Sequence, residues 1–243
     1  MSTQFESLKD ADQYPQAFRI APPENLGERH ITPRKISNII INAAAESSAI
    51  LLGREPAPVE EGAAPVEVER ALVTAQFGLV PHWVKSASDG RLRALKLVNA
   101  KIDSLTTGTA FRDAWLNGQR CIIPLHSFQV DDLRPGKALP TRITRIDGMP
   151  MGAAGLWARW TGDEGETIIS FAMITINANA HELMNRYGQP GNDKAMPAIL
   201  NEGAYDAWLQ AKVNKAKEFL RPYPAQKIRA NPVEKGRKPH PFL

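Results

Sequence analysis

Cysteine is nearly absent from this 243-residue chain; Cys121 stands alone. One thiol can neither close an internal disulfide nor build a cysteine zinc site, and it suits a reducing cytoplasm. Histidine is sparse too. His30, His82, His126, His181 and His240 are dispersed, and no two have metal-ligand spacing. No apolar run is long enough to cross a bilayer, and the start MSTQFESLKD has neither the basic nor the apolar part of a secretory signal. P-loop, dinucleotide-fingerprint, HExxH and GxSxG patterns are all missing. Neither a metal nor a cofactor is expected. Charge is not strongly one-sided: the net +4 permits an anionic partner without requiring one.

What is present suits a globular chain with a sizeable core, with 43% hydrophobic and 23% charged residues. Apolar and β-branched runs predict strands at Ser37–Ile41, Ser48–Leu52, Val66–Val80, Cys121–Ile123, Ser127–Val130, Thr141–Ile146, Gly155–Trp157, Thr167–Ile176 and Met196–Leu200. The alternation of Thr141–Ile146 is read as one buried face, with Arg142 and Arg145 on the other. Helical patterns fall at Thr107–Asn117, Ala178–Arg186 and Gly203–Ala211. Near the start, Ser7 or Asp10 could cap a short helix that Tyr14-Pro15 and Pro22-Pro23 break. Residues 55–66, EPAPVEEGAAPV, form an exposed loop, and the proline-rich segment 222–243 an extended tail. The strands do not alternate with helices. The expectation is therefore α+β: a single domain over residues 1–243, with a curved or barrel-like mixed β-sheet and a few flanking helices.

The stretch from Phe77 to Ser104 gathers distinctive chemistry. An apolar run, Phe77-Gly78-Leu79-Val80, stops at Pro81 and is followed by His82 and Trp83. Lys85, Arg91, Arg93 and Lys96 then lie on a surface loop before Leu97-Val98-Asn99-Ala100-Lys101. An apolar wall, an aromatic, several cations and a placed amide are ingredients of a nucleic-acid pocket. They are equally those of an ordinary strand, loop and strand.

Motif order resolves this. FGLVPHW, LVNAK, FRDAW, RCIIP, SF, AGLWARW, TINAN, MPAIL and YDAWL follow one another from Phe77 to Leu209. This series resembles the SOS response-associated peptidase (SRAP) family, whose pattern runs WGLVPxW, NARxE, FRxA, RCLxP, GFYEW, AGLWE, TxxAN, HxRMP and DxWL. Arg29-His30-Ile31-Thr32-Pro33 resembles the family's YNIAP, with Phe18–Pro22 as a rival match. The resemblance implies binding of single-stranded DNA at abasic sites. It also implies covalent capture, in which an N-terminal cysteine closes a thiazolidine on the sugar aldehyde. An asparagine, a glutamate and a histidine serve that chemistry.

Carried over by motif, Asn99 takes the asparagine's place and lines the site. Lys101 and Arg112, matched by motif, and Lys85 and Lys96 of the basic segment are expected to contact DNA phosphate, and Trp83 or Phe77 to stack on or wedge a base. The chain departs from the pattern elsewhere. Ser2 stands at the cysteine position, Val130 at the glutamate and Asp193 at the histidine, after an apparent insertion at residues 187–192. Asp131 replaces the glutamate only if the strand slips by one residue, which reverses its face. A hydroxyl is a much weaker nucleophile than a thiol, so thiazolidine capture is expected to be lost. The expectation is a cytoplasmic, nucleoid-associated protein whose partner is single-stranded or abasic-site DNA. Two alternatives stay open. One is a Schiff-base lyase or autopeptidase that uses Ser2 with Asp131 or Asp193. The other is a scaffold for a protein partner.

Overall fold

The computed structural model describes residues 3–49, 51–52 and 68–233. Short strands open the chain, β1 (Phe5–Glu6) and β2 (His30–Ile31), with helix α1 (Gln13–Phe18) between them. Next come β3 (Ile36–Asn42), helix α2 (Glu46–Ala49), β4 (Arg70–Phe77), helix α3 (Ala87–Ala94) and β5 (Asn99–Lys101). Helix α4 (Arg112–Leu116) leads to β6 (Arg120–Leu125), β7 (Ser127–Asp132) and β8 (Leu139–Arg145). The long strands β9 (Met151–Thr161) and β10 (Thr167–Asn177) follow, then β11 (Ala195–Pro197), helices α5 (Tyr205–Leu209) and α6 (Val213–Ala216), and β12 (Ile228–Pro232).

The pairings close a barrel. β10 pairs with β4, β4 with β3, β3 with β6, β6 with β9, and β9 returns to β10. The β10–β4 contact is parallel and the others antiparallel, so the sheet is mixed. Closure removes the edges an open sheet would expose. Beyond the barrel, the C-terminal half of β10 takes β5 on one side and β11 on the other. A second, antiparallel sheet runs β12-β8-β7-β1-β2. The fold is the expected α+β arrangement, a barrel with an added sheet and few, short helices.

One core joins both sheets. Phe77 of β4 stacks on Phe171 of β10 at 5.3 Å and meets Phe5 of β1 edge-on at 5.2 Å. Small residues in β9 let strands approach: a Cβ on Gly155 would stand 2.8 Å from Cys121 Sγ and 2.9 Å from Ile123 Cδ1. Arg120 is buried, its guanidinium 5.2 Å over the Trp115 ring and 5.7 Å from that of Trp208. Burial pulls this arginine down to about 10. The RCIIP stretch thus serves the core rather than a surface.

Several local expectations change. Of the expected strand Ser48–Leu52, residues 48–49 close helix α2 and 51–52 form a turn, after the Asn42 carboxamide ends β3 by accepting the Ala44 N–H. The basic segment expected as a loop contains α3, capped where Ser86 Oγ accepts the Asp89 N–H at 3.2 Å. The Thr107–Asn117 helix shrinks to α4, since Thr107-Gly108-Thr109 form turns instead. Residues 178–186 hold only a 3₁₀ turn at Met184–Arg186, because the His181 ring takes the Leu183 and Met184 N–H groups. Pro15 does not break α1: it lies in the first turn, where an N–H has no helical partner anyway. Within the tail, Ile228–Pro232 pairs with β8 as an edge strand, a place that tolerates proline. Arg142 and Arg145 do not share a face, because three residues along a strand reverse direction. Arg142 meets Glu6, whereas Arg145 meets Asp147 and Glu202. The loop at 55–66 lies outside the described residues.

Candidate functional site

A cavity of about 690 Å³ lies beside the C-terminal end of β10. Lys101, Val130, Asp131, Tyr187, Asp193 and Lys194 are among its walls. Lys101 arrives on β5, opposite Thr175 of β10, while Asp193 and Lys194 immediately precede β11 on the other side. Val130 and Asp131 come from β7. The end of β10, with its neighbours β5 and β11, and β7 of the second sheet thus bring together three walls that are far apart in sequence. β1 approaches from the second sheet: Phe5 faces Phe128, and Gln129 N–H donates to Gln4 C=O at 3.1 Å. Continuing that register sets Thr3 opposite Val130. Ser2 lies outside the described residues.

The substituted positions have clear local settings. Val130 is buried and Asp131 exposed, as alternation along β7 requires, yet both border the cavity. Asp193 accepts from Asn179 Nδ2 at 2.9 Å, and Asn179 Oδ1 accepts the Lys194 N–H at 2.7 Å, so Asn179 orients the segment. His181 is occupied elsewhere. Its Nδ1 accepts the Leu183 and Met184 N–H groups, so Nε2 carries the proton and donates to Tyr223 C=O at 2.7 Å. Asn99 is half-buried on β5, two residues from Lys101 and hence on the same face.

Trp83 belongs to a second group. It is 40% exposed, its Nε1 donates to Thr109 C=O at 3.2 Å, and Arg93 sits 5.0 Å from its ring centroid. Nearby, His82 Nδ1 lies 3.4 Å from Asp113 Oδ2, and exposed Arg112 approaches the same carboxylate at 3.6 Å. Lys85 and Lys96 are exposed on either side of α3. Phe77 is different. At 1% exposure, packed between Phe5 and Phe171, it has no surface to offer a base, and Trp83 alone of the two aromatics does.

Sequence reading missed two features. Tyr187 and Lys194 belong to the cavity wall, where only a loop was legible. Glu6 was not singled out at all, yet it is a buried carboxylate 2.9 Å from Arg142, 3.3 Å from Arg29 and 3.0 Å from Ser127 Oγ. Burial pushes its pKa up, but the Ser127 hydroxyl and the Arg142 and Arg29 guanidiniums outweigh this and leave it lowered. Nothing local marks a residue whose partners are 23, 121 and 136 positions away.

The lone thiol is inert by placement. Cys121 is fully buried, and burial raises its pKa well above 9.0. A thiol reagent is expected to leave the native protein unlabelled and to modify one site after denaturation, as mass spectrometry would show. Among the described residues, no cluster of three or more His, Cys, Asp or Glu side chains is placed to hold a metal ion. No helix there is long and apolar enough to cross a membrane.

Comparison with known proteins supports the fold. A crystal structure of a protein from Bordetella bronchiseptica superposes with a TM-score of 0.78 at 32% identity, covering 96% of this chain and 99% of that one. A Bacteroides thetaiotaomicron protein shares the fold, with a TM-score of 0.70 at 21% identity over 96% of this chain and 92% of that one. By sequence, the abasic site processing protein YoqW of Bacillus subtilis is 32% identical over 162 residues, which are 65% of this chain and 67% of YoqW. The abasic site processing protein HMCES of Gallus gallus is 24% identical over 188 residues, 68% of this chain and 53% of HMCES. The model of the SOS response associated peptidase (SRAP) family matches residues 1–236, and the chain belongs to that family.

Proposed function

We propose that this protein binds single-stranded or abasic-site DNA, in a DNA-damage context, without the covalent thiazolidine chemistry its family resemblance implies. The observation that carries this reading is the cavity beside β10. It keeps a cation, Lys101, but presents buried Val130 and Asn179-bonded Asp193 where the family pattern has a glutamate and a histidine. The similarity to abasic site processing proteins supports the choice of DNA. Lys101, Arg112, Lys85 and Lys96 supply positive charge for phosphates, exposed Trp83 offers a ring to a base or a strand end, and Asn99 lines the approach.

A salt titration of affinity for intact and abasic single strands tests this. Lys101→Glu and Arg112→Glu should each weaken binding and reduce the slope of log affinity against log salt by about one. Unchanged affinity in both variants, or no affinity at low salt, would favour a protein-binding scaffold instead. A heat-stable, denaturant-resistant adduct formed without borohydride would overturn the loss of thiazolidine capture.

A further inference from the structure

We propose that Lys101 is an amine nucleophile that forms a reversible imine with the ring-opened aldehyde of an abasic site. This rests on the reading of the cavity as a site for abasic DNA.

Two lysines line the cavity, and they differ in commitment. Lys194 Nζ donates to the carbonyl oxygens of Gly188 and Gln189, so its charge holds the loop in place. Lys101 is exposed, and its ammonium has no ion pair or hydrogen bond to any described residue. It is the free amine of the wall. The carboxylates also differ. Asp193 has one oxygen fixed by Asn179 at 2.9 Å, which sets its orientation. A second cavity of about 100 Å³ is lined by Lys101, Asp103, Asn177, Asp193 and Lys194. Lys101 and Asp193 thus border both spaces, on the two sides of the β10 end.

The charge balance favours a carbonyl over a deeply seated phosphate. Lys101 and Lys194 face Asp131 and Asp193, so the larger cavity has two charges of each sign. A dianionic or monoanionic group gains little there. A neutral aldehyde needs only space and a nucleophile, and about 690 Å³ falls within the usual range for small-molecule sites.

The chemistry balances without a co-reactant. The Lys101 ammonium gives a proton to solvent water. The neutral Nζ adds to the aldehyde carbon, its oxygen takes up the nitrogen's proton, and a carbinolamine forms. Solvent returns the proton to the hydroxyl as water leaves, giving the iminium. Hydrolysis reverses each step. The product is an imine, unlike a thiazolidine, and is therefore frozen only by a hydride donor.

Full-length protein mixed with an oligonucleotide carrying one abasic site should give a denaturant-resistant adduct only when borohydride is present. Peptide mapping by mass spectrometry should place that adduct on Lys101. Lys101→Arg keeps the charge but removes the primary amine, so trapped adduct per bound oligonucleotide should fall by about tenfold or more. An adduct at the N-terminal amine or another lysine, or undiminished trapping by Lys101→Arg, would overturn the assignment. Binding of abasic DNA with no trapped adduct would overturn it while leaving the DNA-binding reading intact. Absence of binding would overturn both.

Discussion

Gly78→Ala should lower the thermal midpoint by about 10 °C or more, the result of a loss of roughly 3–5 kcal/mol. Gly78 follows β4 directly with φ of +109°, a conformation that side-chain-bearing residues rarely adopt. Space is lacking as well. A Cβ there would lie 2.2 Å from the Ala94 carbonyl oxygen and 2.9 Å from Ala94 Cβ, with backbone as the obstacle. The chain cannot easily withdraw, because Gly78 N–H donates to Phe171 C=O at 2.9 Å and Leu79 N–H to Leu97 C=O at 3.0 Å. Gly148→Ala is the matched control. It shares a positive φ of 76° but has no atom within 4 Å of the new Cβ, so it should cost only about 1 kcal/mol. Circular dichroism melts of the two variants separate backbone preference from collision. Equal midpoints would show that α3 can move away from the strand end.

Glu6→Gln is expected to cost about 2–3 kcal/mol at neutral pH, measured by urea unfolding. The substitution leaves Arg29 and Arg142 near a neutral amide, and His30 Nδ1 lies 3.7 Å from the other oxygen. The figure stays below that for a fully buried pair, because the Arg29 and Arg142 side chains are 43% and 38% exposed and water screens them. The pH dependence has a definite sign. Glu6 has its folded pKa lowered from 4.5, so its contribution is complete above that value and is lost as pH falls through the lower folded value. The gap between wild type and Glu6→Gln should therefore be full at neutral pH and shrink in acid below about pH 4. A gap that stays constant would mean that the cost comes from packing rather than charge. Because β1 borders β7, which walls the cavity, loosening this lock should also weaken the proposed DNA binding.

Residue types and their spacing were enough for the class of the fold and the order of its motifs. Runs such as Ile39-Ile40-Ile41 and Cys121-Ile122-Ile123 are apolar on both faces and can only be buried strands; all six residues are fully buried. Motif order pointed to the family because it depends on residue types at intervals, which a sequence displays directly. Local signals were less dependable. The Asn42 carboxamide and the ring of His181 altered helix and strand boundaries through hydrogen bonds that periodicity cannot reveal.

Which residues share a site follows from strand pairing in three dimensions. Phe77 and Trp83 stand six positions apart and were equal candidates for stacking. Barrel closure buried the first against Phe5 and Phe171 and left the second on the surface. Lys101, Val130 and Asp193 meet because β10 pairs with β5 on one side and β11 on the other, while β7 comes in from the second sheet. Glu6 and Arg142 lie 2.9 Å apart through the same folding back of β7 and β8 onto β1. Such neighbours are set by strand pairing over long sequence separation. No short-range pattern of residue types encodes them.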